Sequence, residues 1–240
     1  MRNIIKAQLR SLKKDKIVIG MALFVLFIAG VFIFDSVSEA AGAATGSMIV
    51  LENGAFIGVT GMLFLLVITG NVVGNDFIDK TLNYEILSGH SRKEVYFGRA
   101  VNALLTGVPL TLILVIFYPV IITLKYNWGE ALEWEKALLC YGLMVIIFFR
   151  VVCELTFLTI VLKNVYLVYL IGFIFGYAQM LVNIIWQEKE GNGWMLAVTG
   201  CMGLFRLKRE EMCYAAVTSL VGGVLFLILG YLYFRQDDLN

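Results

Sequence analysis

NDFIDKTLNYEILSGHSRKEVYFGRA, residues Asn75 to Ala100, is the longest polar run between two long apolar blocks. It carries acids, bases, a Ser88-Gly89-His90-Ser91 turn and the apolar spacing of two short amphipathic helices. The sequence on either side is apolar enough to sit in lipid. The run therefore separates two membrane spans and stands in water, and the fold is read outward from it.

Hydrophobic residues make up 60% of the 240 and charged residues 15%, against about 25% charged in a soluble domain; mean hydropathy is +0.85. Several blocks exceed the roughly 18 apolar residues that mark a span. They are continuous, not alternating at every second residue as barrel strands do. The expected fold is all-α: one polytopic transmembrane domain of six spans, at 17–34, 55–73, 101–123, 137–162, 165–185 and 214–234.

Residues 1–16 hold Arg2, Lys6, Arg10, Lys13, Lys14 and Lys16 beside Ile5, Leu9 and Leu12 at helical spacing. This predicts an amphipathic helix lying on an anionic leaflet; the alternative is a basic tail that only sets topology. The first apolar run is longer than the 7–15 residues of a signal-peptide core, so it is read as an uncleaved span. The third span contains both prolines, Pro109 and Pro119, each of which removes a helix hydrogen bond and favours a kink. Only Lys163 and Asn164 separate the fourth span from the fifth, which makes those two antiparallel neighbours. Residues 186–213 form an outer loop, and within it Trp194 to Phe205 is apolar but too short to cross, as re-entrant or interfacial segments are.

Six spans put both termini on one side. That side, with residues 75–100 and the Lys163 turn, holds about 12 of the 19 Lys and Arg, so it is read as cytoplasmic. All four tryptophans fall on the opposite face, at or near span ends, as an interfacial belt requires.

Much chemistry is missing from the sequence. There is no G-x-x-x-x-G-K-[ST] phosphate loop. The one histidine, His90, and four cysteines are too few and too scattered for a metal site, and His90 beside Ser88 and Ser91 in a turn does not make a triad. No clustered basic face calls for nucleic acid. No catalytic residue, metal site or resident cofactor is expected.

Three polar or small-residue features remain. Arg150 sits near the centre of the fourth span with Glu154 four residues on, within pairing reach on one helix face; the pair either pins a helix interface or lines a path. Gly54/Gly58, Gly70/Gly74 and Gly172/Gly176 are spaced to let helices approach closely. Cys201 and Cys213, in the outer loop, are either a disulfide or two free thiols.

The pattern from Asp76 to Arg99 runs from an acidic start through Lys80-Thr81-Leu82 and Leu87-Ser88-Gly89-His90-Ser91-Arg92 to an apolar-aromatic stretch ending in Gly98-Arg99. It resembles the cytoplasmic loop after the second span in type II (ABC-2-like) permeases of ABC exporters. It is similar in particular to small permeases of Gram-positive peptide, lantibiotic-immunity and drug efflux systems. Asp79-Lys80-Thr81 departs from the family pattern, which commonly has a glycine before the threonine.

The resemblance implies a coupling helix docked in a groove on a separate P-loop ATPase. Two ATPase copies carry Mg-ATP, and a second permease subunit, identical or related, completes the path. The segment involved is Phe77, Ile78, Asp79, Thr81, Leu82, Ile86, Leu87, Ser91 and Arg92. Its apolar members are the expected knobs, and Ser88 or Ser91 the N-cap of a helix through Lys93 to Phe97. The alternative is a solvated loop whose charges only set topology. The function this implies is export of an amphipathic or lipophilic substrate, an antimicrobial peptide or drug, across a bacterial plasma membrane. The rivals are an ATP-independent carrier or channel and a membrane scaffold.

Overall fold

The computed structural model describes residues 45–78, 81–186 and 204–236, with isolated helical residues between 19 and 31. Among the described residues every regular element is helical and there is no strand. Helix α1 is Gly46–Ile78, α2 Thr81–Leu87, α3 Arg92–Tyr126, α4 Trp134–Leu162 and α5 Val165–Trp186. A 3-10 turn at Leu204–Arg206 leads into α6, Arg209–Gln236. Three of these, α3, α4 and α6, are long and apolar enough to cross a membrane. The expected amphipathic helix over 1–16 and most of the expected re-entrant stretch lie outside the described residues, as do Asp79 and Cys201.

The helices outrun the apolar blocks that mark them in the sequence. Helix α1 begins at Gly46 rather than Ala55, α3 at Arg92 rather than Val101, and α6 at Arg209 rather than Tyr214. Hydropathy reports where lipid ends, whereas a helix ends where its backbone hydrogen bonds find another partner. Helix α3, at 35 residues, is about 52 Å long, well beyond a hydrocarbon core of about 30 Å. Its first turns therefore stand clear of the apolar stretch. The second amphipathic helix expected in the polar run is thus not a separate element but the start of α3. That helix also runs unbroken through Pro109 and Pro119.

Contacts at the helix ends fix the direction of each element. The Gly46 and Ser47 amides donate to the Asn127 and Trp128 carbonyls at 2.8 and 2.7 Å, so the start of α1 meets the end of α3. Helices α4 and α6 run parallel, from an Arg209–Glu135 ion pair at 3.2 Å to a Phe157–Phe226 ring contact. The end of α1 meets the start of α5, where Gly74 faces Val165. Hence α1, α4 and α6 point one way, and α3 and α5 the other. The α2 segment, the α4–α5 turn and the end of α6 gather at one end of the bundle.

Helix α4 is central, packing on α1, α3, α5 and α6 through buried residues that include Met144, Ile147, Phe148, Val152 and Ile160. Helix α6 shows an outward row of exposed Val217, Val221, Val224 and Ile228, suited to acyl chains as neighbours. Close approach of α1 and α5 depends on glycine: a Cβ at Gly70 would strike the Tyr169 ring, and one at Gly172 would strike Leu66. The α4–α5 turn is closed by Lys163, which takes the left-handed conformation (φ 49°) and donates its amide to the Thr159 carbonyl. The Asn164 side chain then accepts from the Tyr166 and Leu167 amides and so caps α5. At the opposite end Trp128 stacks on Trp134, ring centres 4.0 Å apart.

Candidate functional site: the segment between α1 and α3

The local sequence from Leu87 to Arg92 stops one helix and starts the next with no slack residues. Gly89, at φ 96°, occupies the left-handed position that only glycine takes without strain. Its amide donates to the Ile86 carbonyl at 3.0 Å and the His90 amide to the Glu85 carbonyl at 3.2 Å, the paired bonds of a Schellman stop. The Ser88 hydroxyl adds a bond to the Glu85 carbonyl at 2.7 Å. One residue past His90, Ser91 is the N-cap of α3 in a full capping box: its Oγ accepts from the Glu94 amide at 3.2 Å, and Glu94 Oε2 accepts from the Ser91 amide at 3.3 Å. The Ser91 amide foremost, and next the Ser91 hydroxyl, which donates to the same Oε2 at 3.0 Å, hold the exposed Glu94 carboxyl below its usual range.

Helix α2 lays its apolar side on the chain's own body. Leu82 is buried, and Phe77 and Ile86 pack against the same core. Three of the five apolar residues expected to dock on a partner therefore anchor the segment instead. The cause is geometric: a two-turn helix has one apolar stripe, and the bundle end takes it. Leu87 points outward with 82% of its surface exposed, joined by Tyr84 at 68%, a residue the sequence reading passed over. Thr81 opens α2 and Ile78 closes α1.

The segment is keyed to two long helices by polar contacts that sequence spacing did not reveal. Arg99, expected in a watery loop, is buried on α3, and its Nη2 pairs with Glu85 Oε1 of α2 at 3.1 Å. Arg92 Nη1 donates to the Phe234 and Arg235 carbonyls, both at 3.2 Å, closing the C-terminal end of α6. One turn on, the Tyr96 hydroxyl donates to the Leu227 carbonyl at 2.8 Å. Tyr96 sits against Gly230, where a Cβ would lie 2.5 Å from its oxygen. The only advance signal for Arg99 is a charge placed where an apolar run is about to begin.

Deeper in the bundle, Arg150 Nε lies 3.2 Å from Glu154 Oε1. Near the start of α6, Cys213 is a free, exposed thiol; Cys201, with which the sequence left a disulfide open, is outside the described residues. Among the described residues no group of three or more His, Cys, Asp or Glu gathers as metal ligands would. No protein-family model matches the chain, and no curated protein matches it.

Proposed function

We propose that the chain is the membrane-spanning subunit of an exporter driven by a separate P-loop ATPase, seated in a bacterial plasma membrane. One observation carries this reading: a short helix, closed at its C-terminal end by a Schellman stop that leads straight into the capped start of α3 and keyed by Glu85–Arg99 to that membrane-length helix, presents Tyr84 and Leu87 outward. A loop that only linked two spans has no need of a Schellman stop, a capping box and an ion pair. A lever does, because force passes only through parts that keep their shape.

In this reading the cytoplasm bathes the bundle end that carries α2, the Lys163 turn and the close of α6. Both termini lie on that side of six spans. Mg-ATP binds the partner ATPases, two of them, and a second permease subunit completes the path. The apolar interior, with Arg150 and Glu154 as its one charged pair among the described spanning residues, suits an amphipathic or lipophilic solute such as a membrane-active peptide or drug. An ion pathway would need repeated ionisable side chains.

The test is co-purification. The chain is expressed with candidate P-loop ATPases of its own cell, and ATP hydrolysis is measured with and without it. Capture of an ATPase whose turnover rises with the chain, and loss of both in Tyr84→Asp/Leu87→Asp, is expected. Capture that survives this double change places the motor elsewhere and removes the lever. Solute transport with no nucleotide returns the chain to the carrier class.

A further inference from the structure

Arg150 is the seventeenth residue of the 29 in α4, roughly 24 Å from the Trp134 end and roughly 18 Å from the Leu162 end. Its side chain is 3% exposed. A guanidinium offers five N–H donors, yet Glu154 sits beside Nε alone, and that contact is an ion pair by distance without hydrogen-bond alignment. Among the described residues neither Nη1 nor Nη2 meets an acceptor. Buried polar groups are almost always partnered, so a forked donor with its open end empty, at membrane depth, needs an explanation.

The wall opposite is built small. Helix α6 presents Gly222 and Gly223 there: a side chain at Gly222 would come 3.5 Å from Arg150 Cδ, and one at Gly223 would come 2.7 Å from the Phe149 ring. One turn earlier on α6, Ser219 is fully buried, and its hydroxyl is also without a partner. The pair is not sealed, because the Glu154 side chain is 20% exposed. The guanidinium nitrogens and the Ser219 hydroxyl are enclosed, so an acceptor enters the α4–α6 seam by parting the two helices, where the α6 side offers glycines.

We infer that the α4–α6 seam at Arg150 is a binding site for the oxyanion head of an amphiphile, a carboxylate or a phosphate. Two parallel N–H···O bonds from Nη1 and Nη2 match either head. The inference deepens the exporter reading by naming the chemistry of the solute. It is tested without any ATPase, so its failure leaves the lever untouched, and failure of the lever leaves this site standing.

The full chain is purified in a neutral detergent and titrated with dodecanoate, dodecyl phosphate, dodecanol and dodecylammonium, with bound ligand read by native mass spectrometry. Both oxyanions are expected to bind saturably, one per chain and at least about tenfold tighter than the alcohol. Arg150→Gln leaves Glu154 unpaired and can fail to fold, so Arg150→Gln/Glu154→Gln is the informative variant; it should lose that preference. Glu154→Gln, which removes the competing carboxylate, should tighten dodecanoate binding. Added phosphatidylglycerol distinguishes the sources: displacement of dodecanoate assigns the head to lipid, and no displacement assigns it to a free amphiphile. Equal affinity for dodecanol and dodecanoate, or unaltered dodecanoate binding in the double variant, overturns the inference.

Discussion

Glu85 of α2 and Arg99 of α3 meet at 3.1 Å, with Arg99 buried and Glu85 partly open to water. The pair is the one ion pair between the short helix and a long one among the described residues. Arg99→Leu leaves the Glu85 carboxylate half-enclosed without its cation, and loss of a partner of this kind costs about 1–3 kcal/mol. The paired change Glu85→Leu/Arg99→Leu should recover part of that loss, because no charge is then left without its counterpart. Thermal unfolding of all four proteins in detergent measures the coupling. Strict additivity of the two single changes would show that the contact carries no energy.

Arg92 is a second tie, from the same segment to α6. Its guanidinium caps two carbonyls at a helix C-terminus, where the backbone dipole also favours a cation. Arg92→Ala should destabilise the end of α6 by about 1 kcal/mol. Arg92→Lys, which keeps the charge and loses the fork, should fall between. Hydrogen exchange at the amides of the last turn of α6 reports this directly: faster exchange confined to that turn and the start of α3 is expected. Unchanged exchange there would mean the cap is not used.

The capping box gives a pH signature. Ser91→Ala should cost about 1 kcal/mol, seen as faster exchange at the amides of Lys93 to Phe97. The Glu94 half of the box depends on ionisation. Its carboxyl is held below the usual value near 4.5 by the Ser91 amide first and the Ser91 hydroxyl second. A depressed folded value means the contribution is fully present above pH 4.5 and disappears as the pH falls through the lower, folded value. Fraying of the α3 start should therefore increase on acidification in the wild-type protein and much less in Glu94→Gln. Parallel acid profiles for the two would remove Glu94 from the cap.

Gly74 and Gly70 let α5 lie against α1, with Val165 and Tyr169 in the space a side chain would take. Gly74→Leu should destabilise by about 1–3 kcal/mol through overpacking. The same change at Gly142, which has nothing within 4 Å of a built Cβ, should be nearly silent. Expression yield and thermal unfolding of the two variants compare them. Equal tolerance would show that α1 and α5 are not in close contact in the membrane.

The parts of this fold that were legible from the residues are those set by local rules. Ser91 and Glu94 stand three apart in a capping-box pattern, Arg150 and Glu154 four apart on one helix face, and Lys163-Asn164 leaves no room for anything but a tight reversal. The unreadable parts depend on what the helices do to one another. Leu82 and Leu87 look alike as apolar residues of one short helix, but the bundle end covers the first and leaves the second bare. Glu85 and Arg99 stand 14 residues apart, too far to pair along one helix, and meet only because a turn intervenes. Arg92 caps a helix that begins more than a hundred residues later. Such contacts follow from the antiparallel return of α6 alongside α3, and no window of sequence contains that return.

The Arg150–Glu154 pair yields a prediction in which one change is worse than two. A lone charge near the bilayer centre costs at least about 2.5–3.5 kcal/mol on insertion scales. Arg150→Leu abandons Glu154 and Glu154→Leu abandons Arg150, whereas Arg150→Leu/Glu154→Leu leaves no charge behind and adds apolar surface to a helix already surrounded by it. Membrane yield and thermal stability should therefore fall in each single variant and recover in the double, even where binding of an oxyanion amphiphile is lost. The two readouts separate structure from function: a stable double variant that no longer discriminates dodecanoate from dodecanol has kept the helix interface and lost the fork. A double variant as unstable as Arg150→Leu would show instead that the guanidinium holds α4 to α6 through its aliphatic stem against Gly222, and that its charge is incidental to folding.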